Sequence, residues 1–273
     1  MNEKLNILKE NNFNFKKKFG QNFITDNFIL DRISNVQNYE ENSLIIEIGP
    51  GMGTLTEKLL QKKNVIKVIA YEIDNTLKPI LEKRLKDYPK FKLIMRDFLN
   101  RDVLEDIKDE NYNKLYICAN LPYYITTPII TKIIESDINA ESLVLMVQKE
   151  VAQRLCANVN SKSYNSLSIF VNYHYNCEII FDVNRENFTP NPNVDSSIIK
   201  LSKKNPISIN DKEKFFNLVK IAFTQKRKNL RNNFKGLNLE KIETILKTFN
   251  KDLTYRAEQI TIEEFAKISN KLN

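Results

Sequence analysis

The sequence predicts an α/β protein, a parallel sheet with crossover helices, followed by a small all-helical C-terminal domain. Three observations carry this. Between about 43 and 200, short apolar runs alternate with amphipathic stretches of helical spacing. After "KKNPISIN" that alternation stops and the remaining segments all have helical spacing. The charge divides at the same place. Residues 1 to 202 hold 26 basic and 26 acidic side chains, whereas 203 to 273 hold 16 and 8, so the net charge of +8 belongs to the last quarter. A neutral body with a basic appendage fits a polyanionic partner held partly through that appendage. The same charge also fits a Lys-rich solvated surface.

In chain order, "SLIIEIG" reads as a strand, "TLTEKLLQK" as a helix and "VIKVIAYEID" as a second strand. "FKLIMRD", "KLYICAN" and "SLVLMVQ" are further strands, with "TTPIITKIIES" a helix between the last two. "SLSIFVNYHYNCEIIFDV" and "SSIIKLSK" read as additional strands closing the sheet. "DKEKFFNLVKIAFTQKRKNLRNNF", "NLEKIETILKTF" and "TIEEFAKISNKL" read as helices, the first two N-capped by Asp211 and Asn238. The domain boundary falls near Pro206, giving domains 1–205 and 206–273.

Composition excludes several classes. No run of 18 apolar residues exists, so no membrane span is expected. "MNEKLNILKENNFNFKKKFG" lacks the apolar core and cleavage site of a secretory signal. Cys118, Cys156 and Cys177 are far apart and form no CxxC pair. This argues against structural zinc and fits a reducing, cytoplasmic compartment. His174, the single histidine, stands among apolar residues and reads as structural. Chemistry needing a Ser–His or Cys–His pair, or a metal, is not expected.

Three of the five glycines, Gly49, Gly51 and Gly53, lie in "EIGPGMGTLTEKL", at a strand–turn–helix junction. They let the backbone turn sharply and let a ligand approach the main chain. The dinucleotide fingerprint G-x-G-x-x-G does not fit, because its third glycine falls on Thr54 or Thr56. The turn also lacks a phosphate-binding Lys or Arg. The G-x-G-x-G spacing after Glu47 resembles the S-adenosylmethionine loop of Rossmann-like methyltransferases. That cofactor is cationic and has no phosphates, so an acidic rim is tolerated. Glu72 follows at the end of the second strand, where a carboxylate can accept both ribose hydroxyls. Asp97 ends the third, where it can accept from the adenine amine.

The fourth strand ends at Asn120, in "ANLPYYITTP". An exocyclic adenine amine is a weak nucleophile, because its lone pair is delocalised into the ring. Acceptors for both its N–H groups would localise that pair. The Asn120 side-chain oxygen and the Leu121 carbonyl can supply them. Pro122 restricts its own φ and biases Leu121 to an extended conformation, which aims the carbonyl. Tyr123 offers a ring for the base to stack on.

These motifs together resemble the ribosomal RNA adenine N6,N6-dimethyltransferases of the KsgA family, over nearly the whole chain. "KKFGQNFITD" resembles the family's N-terminal motif, "EIGPGMGTLT", "YEID", "RDF" and "NLPYY" match in order, and "FTPNPNVDSSI" resembles its F-x-P-x-P-x-V-D-S segment. "AFTQKRKNLRN" and "RAEQITIEEF" match its helical domain, with Lys226 where many members have Arg. The resemblance implies a cofactor site of Asn22, Ile24, Gly49, Gly51, Glu72, Ile73, Asp97, Phe98 and Asn120. It implies a catalytic set of Asn120, Leu121, Pro122 and Tyr123, with Phe188 as a second face for the target base. It also implies RNA contacts at Lys226, Arg227, Lys228 and Arg231.

The implied substrate is a pair of adjacent adenosines in a hairpin loop near the 3′ end of small-subunit rRNA, presented by an immature subunit to a monomeric enzyme. A sister family methylates large-subunit RNA and confers macrolide resistance. Leu121, Asp195 and the "RAEQITIEEF" tail favour the small-subunit enzyme. A non-catalytic assembly factor on the same fold would show a degraded loop or clamp, and both are intact.

Overall fold

Ser43–Ile48 (β2) is buried at every position, and burial of both its faces marks the middle of a sheet covered on both sides. The computed structural model describes residues 13–16 and 19–272. Lys17 and Lys18 of the N-terminal motif lie outside the described residues.

The chain forms two compact units. The first takes the chain up to Ala152 together with Glu178–Lys203. Its strands after β2 are Val65–Tyr71 (β3), Phe91–Ile94 (β4), Lys114–Asn120 (β5), Ser142–Gln148 (β6), most of Tyr175–Val183 (β7) and Ser196–Lys203 (β9). They stand in the order β4-β3-β2-β5-β6-β9-β7. β4 through β6 are mutually parallel and β9 runs antiparallel to β6. Two short strands, Phe23–Ile24 (β1) and Phe188–Thr189 (β8), pair antiparallel apart from the main sheet. The helices of this unit include Asn27–Ser34 (α1), Thr54–Leu60 (α2), Lys78–Leu85 (α3), Val103–Ile107 (α4) and Thr126–Glu135 (α5). Asp26 caps α1 by accepting from the Phe28 and Ile29 amides, and Asp102 caps α4 in the same way.

The second unit comprises Gln153–Cys177 and Lys204–Asn273. Its helices are Ser166–His174 (α7, after Lys149–Leu155, α6), Lys212–Ala222 (α8), Leu230–Asn233 (α9), Leu239–Lys247 (α10) and Ile262–Leu272 (α11). Asp211 and Asn238 do cap α8 and α10. The core of this unit joins Ile169 and Tyr173 of the early segment to Phe215, Phe234, Ile242 and Phe265 of the late one.

Four expectations differ from this picture. The helical unit does not begin near Pro206 alone, since it also draws in Gln153–Cys177. Ser166–His174 is helical rather than strand. A capping box decides it: Asn165 accepts from the Leu167 and Ser168 amides while the Ser168 hydroxyl accepts from the Asn165 amide. The long helix expected from 211 to 234 breaks after Ala222. The Asn233 side chain donates to the Ala222 carbonyl at 2.7 Å and Asn229 caps a new short helix. Finally, Cys156 and Cys177, far apart in sequence, are bonded to each other as a disulfide.

His174 packs on the Phe170, Tyr173 and Phe216 rings. Burial first, then nearby Lys212, pushes its pKa down to about 4, so it is a neutral packing group at pH 7.

Candidate active site

The parallel register sets the site. Ile48 pairs with Tyr71 on one side and Ala119 on the other, and Asn120 pairs with Met146. Four strands therefore end at one edge of the sheet, where open α/β sheets hold their ligands. A cavity lies there. Gly49 and Gly51 follow β2 into it, Glu72 and Ile73 follow β3, and Asp97 and Phe98 lie beyond β4. Asn120, Leu121, Pro122 and Tyr123 enter from β5, and Asn22 and Ile24 complete the N-terminal side. Among the described residues no helix is long and apolar enough to cross a membrane, and no group of His, Cys, Asp and Glu could hold a metal.

The glycine turn is tight. Gly49, Gly51 and Gly53 have φ of 71°, 59° and 80°. At Gly51 a Cβ would stand 2.9 Å from the Phe23 ring, closer than carbon atoms pack. Glycine here keeps Phe23 against the turn and leaves the cavity open. Its peptide N–H donates to one oxygen of Glu72 at 3.2 Å, and the Asp74 N–H donates to the other at 2.8 Å. Glu72 is buried, and this raises its pKa to about 7 despite those two donors. Asp97 caps the 3-10 turn Phe98–Asn100 and accepts from the Leu99 amide and the Asn100 side chain. It lies past the end of β4, not within it. Each of its oxygens retains a lone pair for a ligand N–H.

Glu47 does not form an acidic rim. It is 1% exposed, and burial first, then the Glu72 charge, pushes its pKa up to about 8. Its Oε2 has no hydrogen-bond partner among the described residues. At pH 7 it is mainly a neutral carboxyl beneath the turn.

The clamp has a defined orientation. Asn120 Nδ2 donates to the Asn22 carbonyl at 3.0 Å. The opposite rotamer would set two oxygens against each other, so the amide is locked and Oδ1 is the end left to accept. The Leu121 N–H is held by the Met146 carbonyl at 3.2 Å. Pro122 sits at φ −57° and its carbonyl accepts from Ile125 and Thr126 as the chain enters α5. The Tyr123 hydroxyl pairs with Ser196 Oγ at 2.7 Å, which fixes the ring.

Phe188 is a correction. Pairing of β8 with β1 turns its side chain into the core, where it is 1% exposed, and it does not line the cavity. Tyr124, absent from the residues expected at the site, does line it and is 60% exposed. The doubled tyrosine in "LPYY" was its signal.

Lys226 and Arg227 lie in the turn after α8, Lys228 in the bend that follows, and Arg231 in α9. The single helix expected across them is broken here, so they do not lie on one helix. Arg231 also meets Glu243 at 3.3 Å, and Lys226 Nζ donates to the Lys162 carbonyl at 2.5 Å.

The turn offers no basic side chain to a phosphate, while two carboxylates stand ready for a nucleoside's hydroxyls and amine. Such a wall suits a phosphate-free, cationic donor better than a dinucleotide, and the molecule is a methyltransferase that uses S-adenosylmethionine. Comparison with known proteins narrows the class. The ribosomal RNA adenine dimethylase family matches residues 12–273, and the chain belongs to it. It is 43% identical to ribosomal RNA small subunit methyltransferase A of Lactococcus lactis, across 97% of this chain and 92% of that protein. It is 42% identical to the protein of that name from Clostridium acetobutylicum, across 97% and 96%. Among solved structures, a dimethyladenosine transferase from Plasmodium falciparum superposes with a TM-score of 0.74 at 27% identity, covering 90% of this chain and 95% of that one. The 23S rRNA methyltransferase ErmE also reaches 0.74, at 22% identity, covering 92% and 99%, and shares the fold.

Proposed function

We propose that this enzyme methylates the N6 amines of two adjacent adenosines in the 3′-terminal hairpin loop of small-subunit rRNA, giving N6,N6-dimethyladenosine at each. The locked amide of Asn120 carries the reading, because it points an acceptor rather than a donor at the place where an amine must be held. S-adenosylmethionine supplies an electrophilic methyl group on a sulfonium. In the first transfer Asn120 Oδ1 accepts one N–H of the target and the Leu121 carbonyl accepts the other, which localises the nitrogen lone pair; in the second, the N6-methyl amine keeps one N–H for the same acceptors. Tyr123, pinned through Ser196, stacks on the base. Glu72 accepts the cofactor ribose hydroxyls and Asp97 its adenine amine. The amine displaces S-adenosylhomocysteine from the methyl carbon and the methylated nitrogen then loses its proton to water, so transfer depends on positioning and on these acceptors, with no strong base required.

The names of the relatives support the small subunit as substrate, and a hairpin loop offers bases that are already partly unstacked. Lys226, Arg227 and Lys228 are the phosphate contacts in this reading. The enzyme acts as a monomer in the cytoplasm on an immature subunit, with a part in subunit maturation.

Substitution tests the clamp. Asn120→Ala should lower kcat at least ~100-fold while the Kd for S-adenosylmethionine stays within about threefold, because the Asn120 acceptor acts mainly in the transition state. Turnover within a few-fold of wild type would remove Asn120 from the mechanism.

A further inference from the structure

Asp74 is 1% exposed, yet it accepts hydrogen bonds from a segment distant in sequence. Lys16 Nζ reaches one carboxylate oxygen at 2.6 Å and Gln21 Nε2 reaches the other at 2.7 Å. Thr76 adds its backbone N–H and its hydroxyl to the first oxygen, at 3.0 and 2.7 Å. Burial would push this carboxyl up, but Lys16, Thr76 and Gln21 together hold it below the usual carboxylate range. The two donors from the N-terminal segment are also joined to each other, since the Lys16 N–H donates to Gln21 Oε1 at 2.8 Å. Gln21 is thus oriented at both ends of its amide. A fixed amide that bridges a main-chain N–H and a buried carboxylate costs rotamer freedom, and nothing in the sheet itself requires it.

The consequence lies on either side of this junction. Immediately after Gln21, residues 22 to 24 form a wall of the cofactor cavity. The Asn22 carbonyl orients the clamp amide, Phe23 closes on Gly51, and the Ile24 carbonyl accepts from Thr54 Oγ1. Two residues before Asp74 stands Glu72, and the Asp74 N–H holds its carboxylate. One buried acid therefore touches both the segment that leads into the N-terminal wall and the proposed ribose acceptor. Charge-assisted bonds to a buried carboxylate are the strong kind, and their loss frees the N-terminal segment from Asp74.

We propose that Asp74, Lys16 and Gln21 form a clasp whose role is to hold the N-terminal wall shut over the cofactor, so that these three are positioning residues for S-adenosylmethionine binding and product release. The clasp acts through residues 22 to 24 and touches neither the methyl group nor the target amine. It sets cofactor residence and leaves the chemical step alone. This rests on the reading of the cavity as the cofactor site.

The test uses the full chain carrying Lys16→Met, Gln21→Ala and both together, with Glu72→Ala alongside. The quantities measured are Kd and dissociation rate for S-adenosylmethionine and S-adenosylhomocysteine, KM for the cofactor, kcat at saturating cofactor, and melting temperature without ligand. The double variant should raise Kd and KM for the cofactor at least ~10-fold, chiefly through faster dissociation, with kcat within about twofold. Lys16→Arg should restore most of the affinity that Lys16→Met removes. If the double variant fails to fold, Lys16→Met decides alone, since Lys16 is partly exposed and its loss is tolerable to the fold. Unchanged cofactor affinity in the clasp variants beside weakened binding in Glu72→Ala overturns the clasp only. Unchanged affinity in Glu72→Ala overturns the reading of the cavity itself. A fall in kcat and unliganded melting temperature together, with KM unmoved, marks a purely structural role and also overturns the clasp.

Discussion

The cavity at the sheet edge and the basic turn of the helical unit are built on opposite plans. In the cavity nearly every functional atom is fixed by a neighbour. Gly51 and Asp74 hold Glu72, Asn22 holds Asn120, and Ser196 holds Tyr123. In the basic turn Lys226, Arg227 and Lys228 are all exposed, and among the described residues Lys226 is tied only to a backbone carbonyl, that of Lys162. A small cofactor and a single amine demand fixed geometry. A phosphate backbone demands charge, which tolerates mobile side chains and makes binding depend on salt. Substitutions should therefore act sharply and separately in the first region, and gradually and additively in the second.

The largest effect within this contrast concerns Glu47, the buried acid beneath the turn. Its folded pKa, about 8, lies above the ordinary 4.5. The folded protein thus holds a proton that the unfolded chain releases, and stability is fully present below about 4.5 and lost as pH rises toward 8. Glu47→Gln should remove that loss, with a gain on the order of 3–5 kcal/mol above pH 8 and little below pH 5. Melting curves from pH 5 to 9 check it, and parallel curves for variant and wild type would mean that Glu47 ionises freely.

Glu72 comes next. Glu72→Ala should weaken S-adenosylmethionine binding by ~1.5–3 kcal/mol. Because its pKa is near 7, wild-type affinity should fall as pH drops from 8 to 6, when protonation removes the charged acceptor. Titration calorimetry across that range should show a flattened profile for Glu72→Gln.

In the basic turn, changing Lys226, Arg227 and Lys228 to Gln should reduce the salt slope of RNA binding by ~0.7–0.9 for each phosphate no longer engaged. Adding Arg231→Gln should change it little, because Glu243 already engages that side chain. An equal step for all four would make the contrast with Arg231 wrong. Deleting residues 206–273 is a poorer probe of this region. It would strip Ile169 and Tyr173 of the core they share with Phe215 and Phe265. The smallest effect belongs to Ser196→Ala, which frees the Tyr123 hydroxyl and should cost ~0.5–1.5 kcal/mol in kcat/KM for RNA.

The same contrast explains how far the sequence alone leads to this structure. β2, β3 and β5 are mainly apolar runs, and the glycines, Glu72 and Asn120 sit at their ends, so the cavity can be drawn from local signals. Asp97 follows from the same logic, although it stands past the end of β4, whereas Phe98 comes only from the family resemblance. Phe188 does not, because its burial depends on pairing with Phe23–Ile24, far away in the chain. The clasp is hidden for the same reason, although Gln21 lies in "KKFGQNFITD" and Asp74 in "YEID". Ser166–His174 is apolar enough for either a strand or a helix, and the Asn165–Ser168 spacing that settles it is a single cap. The break after Ala222 has no proline or glycine to announce it. It rests on Asn229 and Asn233, whose side chains satisfy the exposed turn.

The central claim is that this cavity dimethylates adenosine in small-subunit RNA. Undermethylated small subunits and naked large-subunit RNA, each offered with methyl-labelled S-adenosylmethionine and digested to nucleosides, test it most directly. The account predicts label in N6,N6-dimethyladenosine from the small subunit and essentially none from the large. Label in N6-methylated adenosine from large-subunit RNA, with the small subunit unmarked, would contradict it.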